Sequence, residues 1–176
     1  MIDFKLVKSD DDIKKLANLA KEIWYEYWPI LLKSAQIQYM VEKFQSYFAI
    51  KCQIWNEGYI YKIISMDGEN VGYYGVSLKD KKVWQSFEEN IDKYLFLSKL
   101  YIKVGYRAKS LGRQAFLDIK NIAHAQKLDY IYLTVNKHNV NAIKVYEKWG
   151  FHIVEEAITN IGQGFVMDDY IMQYKI

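Results

Sequence analysis

The stretch that most constrains this chain runs from Tyr94 to Ala123, where a strand-like segment, a turn and a helical repeat follow directly on one another. Tyr94 to Ile102 is aromatic and aliphatic, as a buried strand is, while Leu111, Ala115, Phe116, Ile119, Ile122 and Ala123 recur at helical spacing. The residues between them form a strand-to-helix turn. Of the 24 Lys and Arg residues only Arg107 and Arg113 are arginine, and they bracket this turn with Lys109 between them. A helix N-terminus offers unpaired N–H groups and a partial positive charge, so such a turn can hold a phosphate, with the guanidinium groups adding bidentate contacts.

A second unit follows. Tyr130 to Val135 is β-rich and leads into Asn136, Asn139, Ala142, Tyr146, Gly150 and Phe151. Here Asn139 can cap a helix, Ala142, Ile143, Tyr146 and Trp149 form its inner stripe, Lys144 and Lys148 suit its C-terminal end, and Gly150 stops it. Two stretches of this region carry a resemblance. Arg107-Ala108-Lys109-Ser110-Leu111-Gly112 resembles the Gln/Arg-x-x-Gly-x-Gly/Ala pyrophosphate loop of the GNAT superfamily of N-acetyltransferases, and Asn-x-x-Ala-x-x-x-Tyr-x-x-x-Gly-Phe from Asn139 is similar to its other signature. Ser110 departs from the pattern by standing where the first glycine usually is. If that position needs positive φ, a Cβ costs about 1 kcal/mol or more; alternatively its hydroxyl donates to a phosphate oxygen or caps the helix.

The resemblance implies an α/β (α+β) fold with a mixed, mostly antiparallel sheet of about six to seven strands and about four flanking helices, as one domain over residues 1–176. It implies acetyl-coenzyme A as co-substrate and no metal. The fourth strand would bulge and splay from the fifth, so that the main chain at Leu100, Tyr101, Ile102 and Val104 pairs with the pantetheine arm and the N–H of Ile102 faces the thioester. Arg107, Ala108, Lys109, Ser110, Leu111, Gly112 and Arg113 would hold the diphosphate, Asn139 would hydrogen-bond pantetheine, and Tyr146 would be the general acid. The aromatic segment near Trp24 and the terminal Met167-Asp168-Asp169-Tyr170 also resemble bacterial acetyltransferases of small amines such as polyamines.

The remaining elements read from pattern. Met1 to Lys8 alternates as a first strand; Ser9 caps a helix with Ile13, Leu16, Ala17, Ala20, Ile23, Trp24 and Tyr27 on its apolar face, ended by Pro29. A second helix fits Ser34 to Phe48, with Ile37, Met40, Val41, Phe44 and Phe48 inward. Tyr59 to Met66 and Asn70 to Leu78 form a hairpin across Asp67-Gly68-Glu69; Tyr94 to Val104 is the fourth strand, Lys79 to Asp92 a long connection with a solvated, Lys-rich start, and Phe151 to Thr159 and Phe165 to Tyr174 a closing hairpin. Composition points to a soluble cytoplasmic domain. No apolar run approaches a membrane span, the N-terminus carries Asp3, Lys5 and Lys8, and a net charge of +3 does not by itself imply nucleic acid. Cys52 is the single cysteine and is expected to be a buried thiol; His124, His138 and His152 lack metal-site spacing. A homodimer is compatible with the sequence.

Acyl transfer to nitrogen needs a neutral amine, and freeing an alkylammonium near neutral pH costs about 4 to 5 kcal/mol unless a base or a desolvating pocket helps. Glu26, Glu22 and Tyr101 are candidates for that group, directly or through water, and no motif chooses among them. The expected reaction is direct transfer of the acetyl group to a primary amine, the partner being a small molecule. A non-catalytic acyl-coenzyme A-binding or protein-interaction domain, and a protein lysine or N-terminal acetyltransferase, are the alternatives.

Overall fold

The computed structural model describes residues 1–78, 84–87 and 93–176. Its elements are β1 (Ile2–Leu6), α1 (Asp10–Tyr27), a 3-10 turn (Trp28–Ile30), α2 (Ser34–Phe44), α3 (Tyr47–Trp55), β2 (Tyr59–Met66), β3 (Glu69–Ser77), β4 (Tyr94–Ile102), a second 3-10 turn (Val104–Tyr106), α4 (Leu111–Ala125), β5 (Tyr130–Asn136), α5 (Val140–Lys148), β6 (His152–Gly162) and β7 (Phe165–Lys175). The strands form one mixed sheet in the order β1-β2-β3-β4-β5-β7-β6. Only β4 and β5 run parallel, which is what the crossover through α4 requires; every other pair is antiparallel.

Each face of the sheet is covered by apolar helix stripes. Ile13, Leu16 and Ile23 of α1 and Ile50 of α3 pack on Tyr61, Ile63 and Tyr73. On the opposite face Ala115, Phe116, Ile119 and Ala123 of α4 pack on Ile64, Val71, Leu95 and Ile131. The expected stripe of α1 is observed at Ile13, Leu16, Ala20, Ile23 and Trp24, with Leu19 buried in addition and Ala17 and Tyr27 half-buried. Its start is a capping box: Ser9 Oγ accepts from the Asp12 N–H, and the Asp12 carboxylate accepts from the Ser9 N–H and from Lys5 Nζ at 2.6 Å. Tyr59–Met66 pairs with Glu69–Ser77 across Asp67 and Gly68, both at positive φ, as the two-residue hairpin signal anticipates.

The helix expected over Ser34 to Phe48 is two helices, which brings the described residues to five α-helices where about four were expected. The break comes at Gln45 and Ser46, where Ser46 Oγ caps α3 by accepting from the Ala49 N–H. Phe48 consequently points outward and is 80% exposed. Tyr47 to Trp55 is apolar almost all round, so periodicity neither reveals the new helix nor says which side is buried; Ile50 and Gln53 are its inward residues. Cys52 faces solvent rather than being buried, because it lies on the outer side of that helix. The fourth strand stops at Ile102, and Val104 begins a 3-10 turn. Of the long connection, residues 79–83 and 88–92, including its Lys-rich start, lie outside the described residues.

Ser9→Ala should cost about 1 kcal/mol in urea unfolding at neutral pH. The hydrogen bond from Lys5, with those from Ser9 and Lys8, holds the Asp12 carboxyl well below the usual carboxylate range. Its contribution is thus complete above about pH 4 and is lost as pH falls toward the lower folded value, so Asp12→Asn should flatten the acid limb of the stability profile.

Candidate active site

The site begins with a parting in the sheet. β4 and β5 are paired only where Tyr94, Leu95 and Phe96 meet Tyr130, Ile131 and Tyr132. Beyond that point β4 follows β3 as far as Ile102, while β5 follows β7 as far as Asn136, so the two neighbours diverge. A bulge in β4 accompanies the divergence: Gly75 faces Lys99 and Val76 faces Leu97, leaving Ser98 as the extra residue. It shifts the alternation by one, so that Leu95 and Leu97 share the α4 face with Leu100 and Ile102, and Lys99 and Tyr101 turn to the α1 face.

The exposed edge of β4 can be read from its register. The Lys103 N–H donates to the Val71 carbonyl, and because antiparallel pairs alternate, the N–H and C=O of Ile102 point away from β3 into the wedge. The Ile102 carbonyl does accept from Arg107 Nε there, at 3.0 Å, and the next free donor, the Val104 N–H, is held by Glu26 Oε2 at 2.9 Å. The wedge opens into a cleft of about 970 Å³ that reaches both sheet faces.

At the mouth of the cleft the Arg107–Arg113 turn takes a shape suited to an anion. Ala108 and Ser110 both have left-handed backbones, φ 61° and 62°, and the residues on either side do not, so successive N–H groups are turned toward one side. Ser110 therefore occupies a conformation that favours glycine, a strain of about 1 kcal/mol or more, and its hydroxyl does not cap α4. The first amides of α4 are without a side-chain cap, and Arg107, Lys109 and Arg113 stand exposed around them. This cradle of amides and cations fits a diphosphate. Gly112 is favoured for a different reason: a Cβ there would stand 3.3 Å from the Trp149 ring, where α4 and α5 approach, and the ring would have to give way slightly.

Three phenols converge on the wedge. Tyr146 projects from α5, Tyr101 from β4 and Tyr27 from the end of α1; burial pushes the pKa of each up, and the nearby Tyr27 raises those of Tyr101 and Tyr146 further. None of the described residues hydrogen-bonds the Tyr146 hydroxyl. Tyr27 donates to Asn139 Oδ1 at 2.6 Å and stacks under the Arg107 guanidinium, 4.6 Å from its ring centre. Asn139 also caps α5 through the same oxygen, leaving its amide N–H groups for another partner.

The candidate bases are spread out. Glu26 sits on the Val104 amide, Glu22 pairs with Lys103 at 2.9 Å, and Tyr101 packs among Trp24, Trp28 and Tyr73 with ring centres 5.5, 6.4 and 5.6 Å away. Burial makes the Tyr101 phenolate costly, so the ring serves better as a wall than as a proton acceptor.

Three further polar residues line the cleft, Trp28, Asp169 and Lys99, and of these the sequence gives Lys99 no part. Trp28 is 7% exposed, and its indole N–H acts on the Tyr101 hydroxyl. Asp169 is buried on β7. Lys99, 6% exposed, donates to the Phe44 carbonyl at 3.2 Å, to Gln53 Oε1 at 3.0 Å and to the Tyr61 hydroxyl, all uncharged oxygens. A lysine inside an otherwise apolar strand was the available signal, but the bulge at Ser98 decides which way it faces.

Burial pushes the Lys99 ammonium down to about 7. Between there and the ordinary lysine value of about 10.4 the unfolded chain holds a proton that the folded chain has released, so stability rises with pH across this window. Relative to Lys99→Met, the wild-type protein should gain at most about 1.4 kcal/mol per pH unit on going from about pH 7 to 9, measured by urea unfolding at each pH.

The sequence profile of the acetyltransferase (GNAT) family matches residues 14–151. Spermine/spermidine N(1)-acetyltransferase from Bacillus subtilis (strain 168) is 31% identical over 74 residues, 42% of this chain and 49% of that protein, so the match spans about half the length of this curated relative. Among solved structures, the PaiA N-acetyltransferase from Thermoplasma acidophilum in complex with coenzyme A superposes with a TM-score of 0.75 at 18% identity, covering 100% of this chain and 99% of the other. The yncA protein from Salmonella typhimurium, solved with its cofactor acetyl-CoA, gives 0.62 at 14% identity over 98% and 94%. At such identities the structural likeness speaks for the fold. Together with a profile spanning most of the sequence, it means that the chain belongs to the GNAT acetyltransferase family.

Proposed function

We propose that the protein transfers an acetyl group from acetyl-coenzyme A to a primary amine of a small molecule, by direct attack within a ternary complex. The observation that carries this reading is the parting of β4 from β5, which leaves the Ile102 main chain facing a cleft that ends at the Arg107–Arg113 cradle. Acetyl-coenzyme A, when bound, supplies a thioester whose carbonyl carbon the amine attacks and whose sulfur departs. The turn amides with Arg107 and Arg113 hold the diphosphate, Asn139 and the edge of β4 hold the pantetheine arm, and the Ile102 N–H donates to the thioester oxygen as charge develops on it. For this the Glu26 and Arg107 side chains must release the Val104 N–H and the Ile102 carbonyl.

Tyr146 gives its proton to the departing sulfur. Burial keeps the phenol neutral, the form needed for donation. The same burial makes its phenolate costly, so rate comes from positioning more than from acidity. The enclosure of Trp24, Tyr27, Trp28 and Tyr101 removes water from the acceptor, which lowers the pKa of a bound ammonium, and Glu26, once free of Val104, is the carboxylate at the mouth that takes the proton. A cleft walled by these aromatic rings suits a small amine better than an extended peptide. The likeness to a spermine/spermidine acetyltransferase agrees with an amine acceptor.

Tyr146→Phe should lower turnover by about ten- to ten-thousand-fold in a thiol-release assay while coenzyme A binding persists; unchanged turnover overturns the acid role. Replacing Arg107 and Arg113 together by Ala should raise the coenzyme A dissociation constant by about tenfold or more in calorimetric titration. An unaltered constant would mean that the diphosphate lies elsewhere.

A further inference from the structure

We infer that the acceptor is an amino carboxylate, its amine presented at Ile102 and its carboxylate bound by Lys99 and Trp28 at the far side of the cleft. This rests on the transferase reading above and adds the substrate class to it. Lys99 and Trp28 both line the cleft, are each more than nine-tenths buried, and are both donors. The three acceptors of the Lys99 ammonium satisfy its hydrogens without neutralising its charge: two are an amide oxygen and a phenol, and the third is the Phe44 carbonyl at the end of α2. A helix C-terminus contributes only a partial negative charge. No carboxylate among the described residues forms an ion pair with Lys99, and the Tyr59 and Tyr61 rings beside it exclude water. A buried cation in this position is strongly stabilised by an anion entering from the cleft, and the Trp28 N–H, whose partner is the uncharged Tyr101 hydroxyl, is a second donor that a carboxylate can claim.

The arrangement also discriminates. Lys99 lies three residues before Ile102 on β4, about 10 Å along the strand, and its side chain leaves the sheet on the α1 face. A diamine of matching length would bring a second ammonium against Lys99, whereas an amino carboxylate brings the opposite charge. The lining carboxylate, Asp169, lies two strands away on β7, where it favours the ammonium end of the same molecule. The cleft is thus polarised across its width.

The test pairs γ-aminobutyrate with putrescine and δ-aminovalerate with cadaverine, each measured by calorimetric titration into the coenzyme A complex at about pH 6, below the value to which burial pushes the Lys99 ammonium. Each amino carboxylate should bind about tenfold or more tightly than the diamine of the same length, and Lys99→Met should abolish that preference while Lys99→Arg keeps part of it. Trp28→Phe, which keeps an aromatic ring and removes the donor, should reduce the preference by a few-fold. Equal affinities, tighter diamines, or a preference that survives in a folded Lys99→Met variant would overturn the inference. A thiol-release assay with the same amines separates the two claims. Transfer to diamines without preference overturns the substrate class and leaves the transferase standing; Lys99-dependent binding of amino carboxylates without thiol release leaves the subsite standing and overturns the transferase.

Discussion

Everything that makes this sheet more than a scaffold depends on hydrogen bonds that β4 and β5 do not make. A parallel pair that stayed in register beyond Phe96 and Tyr132 would satisfy the edge of β4 with β5 and leave no groups for a ligand. Here each strand is committed to a different neighbour, β4 to β3 and β5 to β7, and both commitments are antiparallel and long. The twist of the sheet, increased locally by the bulge at Ser98, carries the two strands apart. The freed main-chain groups lie at the edge of a cleft, and in this structure Arg107 and Glu26 are their partners.

That substitution joins the cofactor route to the acceptor route. Tyr27 spans them: its hydroxyl holds Asn139 at the start of α5, its face carries Arg107, and its ring packs against Trp28 and Tyr101. Entry of an acyl carrier along β4 would therefore release Arg107 from Ile102 and Glu26 from Val104. On the proposed function the first would then be free to meet a diphosphate and the second to meet an amine, so that one exchange of hydrogen bonds would prepare both halves of the site.

Much of this was legible from residues alone. Ser9 with Asp12 announced α1, Asp67-Gly68 announced its hairpin, and the bracketing of residues 107–113 by the two arginines marked the turn before α4. These are local signals, in which a few neighbouring residues fix the backbone or supply its cap. Signals failed where locality failed. Ser46 inside an apolar stretch does not announce itself as a cap, so spacing alone runs α2 and α3 into one helix and turns Phe48 inward. Cys52, a small thiol on a helix apolar on most sides, gave no hint of facing solvent.

The sequence by itself determined the order of the elements, the turn that suits a phosphate and the identity of the phenol on α5, because spacing, caps and side-chain chemistry lie within short stretches of chain. Only the tertiary structure decided which main-chain groups of β4 are free, that Ser110 bears a left-handed backbone, and that Lys99 is turned inward among uncharged oxygens. Those outcomes depend on register and on partners from strands and helices far away in sequence. A single extra residue in a ladder reverses the facing of every residue after it, and nothing in the composition of β4 reveals where that residue falls.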